Sequence, residues 1–112
     1  MIWPARIETS HDWIVQRTGI EQRHVAAEGQ KTSDLAIEAA KKALKNAGIQ
    51  ADQLDAVIVA TTTPDYTFPA VAVKCRQSWA CVVGTVAFDV QAVCSGFIYA
   101  LAVANNFIAQ AR

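Results

Sequence analysis

The order of sequence patterns predicts an α/β layer fold, with parallel strands and covering helices. Three observations carry that prediction. Ala56-Val57-Ile58-Val59-Ala60 is a short, continuous apolar run rich in β-branched residues. A second β-like run covers residues 85–90, and the segments around both runs place apolar residues at helical spacing. Strands that are apolar on both faces and alternate with helices belong to parallel sheets sandwiched by those helices.

Taken in order, Thr9-Ser10 reads as an N-cap, with Asp12 in the first turn of a short helix that Gly19 stops. Trp13 and Arg17 are spaced to share one face of it. Glu28-Gly29-Gln30-Lys31 is a polar loop, after which Thr32 or Ser33 is expected to cap a second helix, with Asp34 in its first turn. Ala36, Ile37, Ala40, Ala43, Leu44 and Ala47 form its apolar face. Lys41, Lys42 and Lys45 suit the negative end of its dipole, and Gly48 ends it. After the first strand, residues 61–68 read as a loop and Pro69 as the first residue of a third helix reaching about Trp79. Gly84 separates that helix from the second strand. The last helix, residues 97–108, is apolar almost all round and is therefore expected to be buried.

The 112 residues suit one small domain, and 53% of them are hydrophobic, enough for a core. Ten basic and ten acidic residues balance, which gives no nucleic-acid footprint. Met1-Ile2-Trp3-Pro4-Ala5-Arg6 is too short, and too broken by Pro4, to be a secretory h-region. The longest unbroken apolar stretch, residues 97–104, falls short of the roughly 20 residues that span a bilayer. Cys75, Cys81 and Cys94 are odd in number and form no C-x-x-C pair, so reduced thiols and a cytoplasmic location are expected, with no metal site. Helix-like sequence begins almost at once and the chain stops in or just after a helix, which reads as a fragment.

Cys94 is the residue with the most chemistry. It lies between an apolar strand and an apolar helix that starts near Gly96, at the tip of the one and the mouth of the other. Unpaired N–H groups and the positive end of the helix dipole would there stabilise the thiolate, the nucleophilic form. By local sequence alone a small buried hydrophobe is an equal reading. Trp13 and Arg17 can sandwich a purine and contact phosphate, or form an ordinary surface cation–π pair. Cys75 and Cys81 are expected to line the third helix and its end. His24 beside Arg23 reads as a loop or packing residue. Asp89, a carboxylate inside an apolar strand, is expected to be satisfied by hydrogen bonds near the Cys94 turn.

Four separated motifs carry a family likeness. Thr9-Ser10-His11-Asp12-Trp13-Ile14-Val15-Gln16-Arg17-Thr18-Gly19-Ile20 with Arg23-His24, Val59-Ala60-Thr61-Thr62-Thr63, Phe68-Pro69, and Ala87-Phe88-Asp89-Val90 leading to Cys94-Ser95-Gly96-Phe97 together resemble β-ketoacyl-acyl-carrier-protein synthase III. The resemblance implies a thiolase-like fold, of which residues 1–112 would be an incomplete N-terminal half with the C-terminal half absent. It implies an acyltransferase that initiates fatty-acid synthesis by condensing an acyl-CoA primer with malonyl-acyl carrier protein. It further implies a homodimer away from the membrane, with coenzyme A thioester as substrate and no permanently bound cofactor. Cys94 matches the acylated nucleophile; Trp13 and Arg17 match the residues holding the adenine end of coenzyme A, and Thr9 a hydrogen-bonding position nearby. Phe68 matches an acyl-pocket residue that reaches across the dimer.

The family's chains are much longer. Its assisting histidine and asparagine, and a glycine-rich oxyanion segment, have no match here, and neither His11 nor His24 corresponds to that histidine. The family's opening strand, which lies centrally in its sheet, and the two strands after the cysteine helix are also missing. Two alternatives stay open: a non-catalytic dimerisation or packing module, whose two-stranded sheet would have open edges, or another thiolase-like condensing enzyme of polyketide or quinolone type.

Overall fold

The computed structural model describes residues 7–79 and 84–111, which leaves Cys81 outside the described residues. Along the chain run α1 (His11–Thr18), α2 (Thr32–Ala47), β1 (Ala56–Ala60), α3 (Val71–Ser78), β2 (Val86–Val90) and α4 (Gly96–Gln110). Single 3-10 turns lie at Ala51–Gln53 and Val93–Ser95. The element order is the one expected. The strands pair in parallel, Ala56 against Val86 through Ala60 against Val90, with α3 as the crossover between them.

Alternation along the strands assigns the two faces of the sheet. Val57 joins Val71, Ala72 and Cys75 in the buried core, with Val59, Ala87, Ile37 and Trp79 packed against it. Odd-numbered strand positions therefore face α2 and α3. The even-numbered face meets α4: the Phe88 and Phe107 rings stand 6.2 Å apart, and a Cβ on Gly96 would sit 3.5 Å from that of Ala60. The strands are covered on both faces, as their composition predicts.

Asp89 shares its face with Val57 and Ala87, and its carboxylate accepts the Val71 N–H at 2.8 Å and the Ala72 N–H at 2.9 Å. These are the first two residues of α3. Ala70, at the N-cap, has no side chain that can do this, and Val71 and Ala72 are 0% exposed, so their amides cannot turn to water. The helix thus begins at Val71 rather than at Pro69, which lies ahead of the N-cap and follows a cis peptide bond from Phe68. Asp89 is satisfied as expected, but by the start of α3 rather than at the Cys94 turn.

The second helix departs from expectation in the same way. Lys31, not Thr32 or Ser33, is its N-cap residue, and its N–H donates to Asp34 Oδ2 at 2.9 Å. Thr32 and Ser33 lie inside the helix and turn toward the loop: the Thr32 hydroxyl donates to the Thr63 carbonyl, and the Ser33 N–H and hydroxyl donate to Asp65. An ionised carboxylate is a stronger acceptor for those amides than a neutral hydroxyl. Lys74 of α3 meets the same carboxylate at 3.1 Å, and the Asp65 side chain is only 1% exposed.

The expectation of a buried last helix fails. Gly96 is the one buried residue of α4, while Phe97, Ile98 and Leu101 are more than half exposed. One side of α4 packs on β1 and β2, and no described element lies against the rest. By length and composition, Val93–Gln110 is apolar enough to cross a membrane. Its contacts with Ala60 and Phe88 make it a sheet-covering helix here.

Burial pushes the Asp65 carboxyl up, but the Ser33 hydroxyl and amide and the Lys74 ammonium more than offset that and lower it from 3.8 to about 2. A carboxyl depressed by folding adds stability above its unfolded value, and that stability is lost as pH falls toward the folded one. Urea unfolding should show Asp65→Asn less stable than the unaltered chain by about 1–3 kcal/mol at neutral pH. The gap should narrow as pH falls from about 4 to about 2. A gap that stays constant over that range would contradict the role given to Asp65.

Candidate active site

Cys94 is set by what happens where β2 ends. The Val90 carbonyl still accepts the Thr61 N–H at 3.1 Å, so both strands finish together and their chains diverge from one end of the sheet. Val93 then adopts φ 46°, left-handed backbone that a β-branched residue rarely takes. Such a conformation costs on the order of 1–3 kcal/mol and persists only where the surroundings enforce it. Here the strand on one side and α4 on the other leave a single tight turn, Val93–Ser95, to join them. Cys94 stands on that turn with its thiol exposed, so the buried-hydrophobe reading does not apply.

The turn uses some of the amides expected to be unpaired. Ser95 N–H donates to the Ala92 carbonyl at 3.0 Å, and Gly96 N–H donates to the Val93 carbonyl. The N-terminus of α4 still differs from the others. Ser10 caps α1 by accepting the Trp13 N–H at 3.1 Å, and carboxylates serve α2 and α3, but Ser95 makes no side-chain cap bond.

Cys94 and Phe97 form one end of an open apolar cleft of about 860 Å³. Its floor is β1 along its whole length, and its far wall is the alanine face of α2, including Ala36, Ala40 and Ala43. Trp79 lines it too, and its buried indole N–H has no acceptor. No other described strand pairs with β1 besides β2.

Trp13 and Arg17 do share a face of α1, with the guanidinium 4.8 Å from the indole centre. That stack leaves no slot for a purine until Arg17 swings aside. Thr9 lies with Ile7, Ser10 and Trp13 around a smaller hollow of about 440 Å³, and its buried hydroxyl has no partner. The structure brings Thr9, Trp13 and Arg17 together; it does not bring them to Cys94, because α1 has no buried residue and packs on no other element to any extent. Phe68 is 84% exposed, at the tip of the loop before α3. Neither histidine lines the Cys94 cleft.

Cys75 is the opposite of Cys94. It is fully buried in α3, and burial, reinforced by the Asp89 and Asp65 charges, pushes its thiol up. Asp65 caps α2 without any local signal in the sequence. Nothing in a polar loop singles out one aspartate, whereas Asp89 announced itself by sitting in an apolar strand.

Residues 88–112, from β2 through the Cys94 turn and α4, match the family model described as 3-oxoacyl-acyl-carrier-protein synthase III. The β-ketoacyl-acyl-carrier-protein synthase III of Paramagnetospirillum magneticum is 61% identical over 104 residues, 93% of this chain and 32% of that one. Over 93% of its length the chain is similar to β-ketoacyl-acyl-carrier-protein synthase III. Its fold agrees: the synthase III structure from Thermus thermophilus superposes with a TM-score of 0.74 at 45% identity, over 92% of this chain and 32% of that one. The enzyme from Pseudomonas aeruginosa gives 0.76 at 40% identity, over 96% and 32%. The chain is therefore thiolase-like in fold and spans about a third of the length of the relatives it matches.

The two placed cysteines should differ in reactivity. Iodoacetamide at neutral pH, followed by peptide mapping, should modify Cys94 in the folded chain and reach Cys75 only on unfolding. Equal modification of both in the folded state would contradict the placement of Cys94 on an exposed turn.

Proposed function

We propose that this chain carries the primer-accepting part of a β-ketoacyl-acyl-carrier-protein synthase III. The observation that carries the reading is the exposed Cys94 on a strained turn between β2 and α4, inside the segment that matches the family model. The Cys94 thiolate attacks the thioester carbonyl of an acyl-CoA and forms a tetrahedral intermediate. Collapse of that intermediate breaks the carbon–sulfur bond to coenzyme A, which leaves as a thiolate and takes a proton, and the acyl group stays on Sγ. Trp13, Arg17 and Thr9 hold the adenine end of coenzyme A, far along the molecule from the reacting sulfur, which suits their separation from Cys94. Phe68 belongs to the acyl pocket of a partner subunit in a homodimer. The second substrate is malonyl-acyl carrier protein, and its decarboxylation draws on a histidine and an asparagine that the resemblance places outside residues 1–112.

The open cleft is read as the seat of a further strand of the thiolase-like sheet rather than as a primer tunnel. Its floor is the hydrogen-bonding edge of β1, and its far wall is a row of alanines that leaves room for a backbone. The exposed apolar side of α4 supports the second reading, a packing module without catalysis, in which this surface joins copies of the chain. Self-association without acylation would favour it.

Incubation with acetyl-CoA should add one acetyl mass to the chain, at Cys94, and Cys94→Ala should abolish the addition. Trp13→Ala and Arg17→Ala should each raise the acyl-CoA concentration needed for half-maximal acylation by roughly five- to tenfold, a loss of about 1 kcal/mol of stacking or charge contact. A folded, reduced chain that never acylates would overturn the proposal.

A further inference from the structure

We propose that the open cleft beside β1 is a strand-addition site, which takes an extended, wholly apolar segment of a separate polypeptide as a third strand. The proposal rests on, and deepens, the reading of that cleft as a strand seat. Two backbone bonds show which groups of β1 are already used. Val86 N–H donates to the Asp55 carbonyl and Thr61 N–H to the Val90 carbonyl, both at 3.1 Å. Successive residues of a strand turn their N–H and C=O groups to alternate sides. The odd-numbered residues of β1 therefore serve β2, and Ala56, Ile58 and Ala60 turn theirs to the other edge. Among the described residues no strand pairs with that edge.

The lining of the cleft selects the occupant. On one side stands the alanine row of α2, and on the other Val93 and Phe97. A strand between them meets apolar groups on both of its faces, so it must be apolar at every position, as β1 itself is. The α2 wall from Ala36 to Ala47 is about 16 Å long, which matches a strand of five residues, the length of β1. Trp79 also lines the cleft, and its buried indole N–H has no acceptor. An acyl chain would cover the apolar lining but leave that N–H and the edge groups of β1 unpaired. A peptide backbone brings carbonyls and amides to them, as strand addition does elsewhere. The outer edge of β2 has no part in this seat, since no β2 residue lines the cleft.

The probe is a peptide of the β1 sequence, Ala-Val-Ile-Val-Ala, with two lysines at each end for solubility, added to the unaltered chain. Amide hydrogen exchange reads where it binds. With peptide in excess, the Ala56, Ile58 and Ala60 amides should exchange at least roughly tenfold more slowly. A control peptide with Pro-Pro in place of its Val-Ile is still apolar but lacks two successive donors, one of which must face β1 in any register. It should bind at least about tenfold more weakly. Trp79→Phe removes the indole N–H and should weaken binding roughly three- to tenfold, the net worth of one hydrogen bond. Equal binding of the proline peptide would mean apolar adsorption without strand pairing, and overturns the proposal. So does protection at Ala87 and Asp89, whose amides face the outer edge of β2, in place of the β1 edge. Absence of binding up to about 1 mM peptide overturns it too. So do unprotected Val57 and Val59 amides in the chain alone, since no β1–β2 pair would then exist to be extended. Joining the peptide to the N-terminus through a flexible linker separates the two readings. Protection of the β1 edge only when the peptide is joined leaves the strand seat standing and overturns addition of a separate segment. No protection even then overturns both.

Discussion

The two hydrogen bonds that the Asp89 carboxylate accepts from the first amides of α3 hold the described structure together. A parallel pair of strands needs a crossover helix, and a helix begins with amides that have no partner of their own. In this chain the start of the crossover helix is fully buried, so water cannot serve those amides, and its N-cap residue is an alanine. An orphaned buried N–H costs about 1–3 kcal/mol. The strand that the crossover leads to supplies the missing acceptor, and β1, α3 and β2 become one closed unit. From that unit the rest follows: a core of Val57, Val71, Ala72 and Cys75 behind the sheet, and the Cys94 turn at its end.

Asp65 does for α2 what Asp89 does for α3, and neither cap is local in sequence. The arrangement makes the helix positions depend on loop and strand positions, so the ends of the elements are more tightly defined than the small core alone would make them. It also sets a contrast across the sheet. Behind it, helix starts are capped by carboxylates and the Cys75 thiol is buried. In front of it, α4 starts without a side-chain cap, lies largely exposed, and carries the exposed thiol at its mouth.

Element types and their order were legible because strand-like and helix-like periodicities differ and glycines punctuate them. Gly19 and Gly48 end α1 and α2 in left-handed backbone, as their positions suggest. What stayed illegible was non-local. Thr32, Ser33 and Pro69 all look like helix-start residues by local rules, yet carboxylates far along the chain moved each start. The apolar composition of α4 reads as burial, but burial depends on what lies against a helix, and the described part of the chain lies on one side of it. Cys94, Trp13 and Arg17 stand out as candidates through motifs and local pattern, and Phe68 through the family resemblance alone. The left-handed Val93 that presents the thiol carries no sequence signal, because valine is among the residues least suited to that backbone.

Amide hydrogen exchange at Val71 and Ala72 tests the Asp89 clamp most directly. First-turn amides of a short helix ordinarily exchange quickly, since no intrahelical carbonyl protects them. If Asp89 closes the β1–α3–β2 unit, both amides should exchange as slowly as those paired between β1 and β2, and Asp89→Asn should release them while the β1–β2 amides stay protected. Exchange at the rate of free helix ends in the unaltered chain would contradict the claim that this carboxylate holds the unit together.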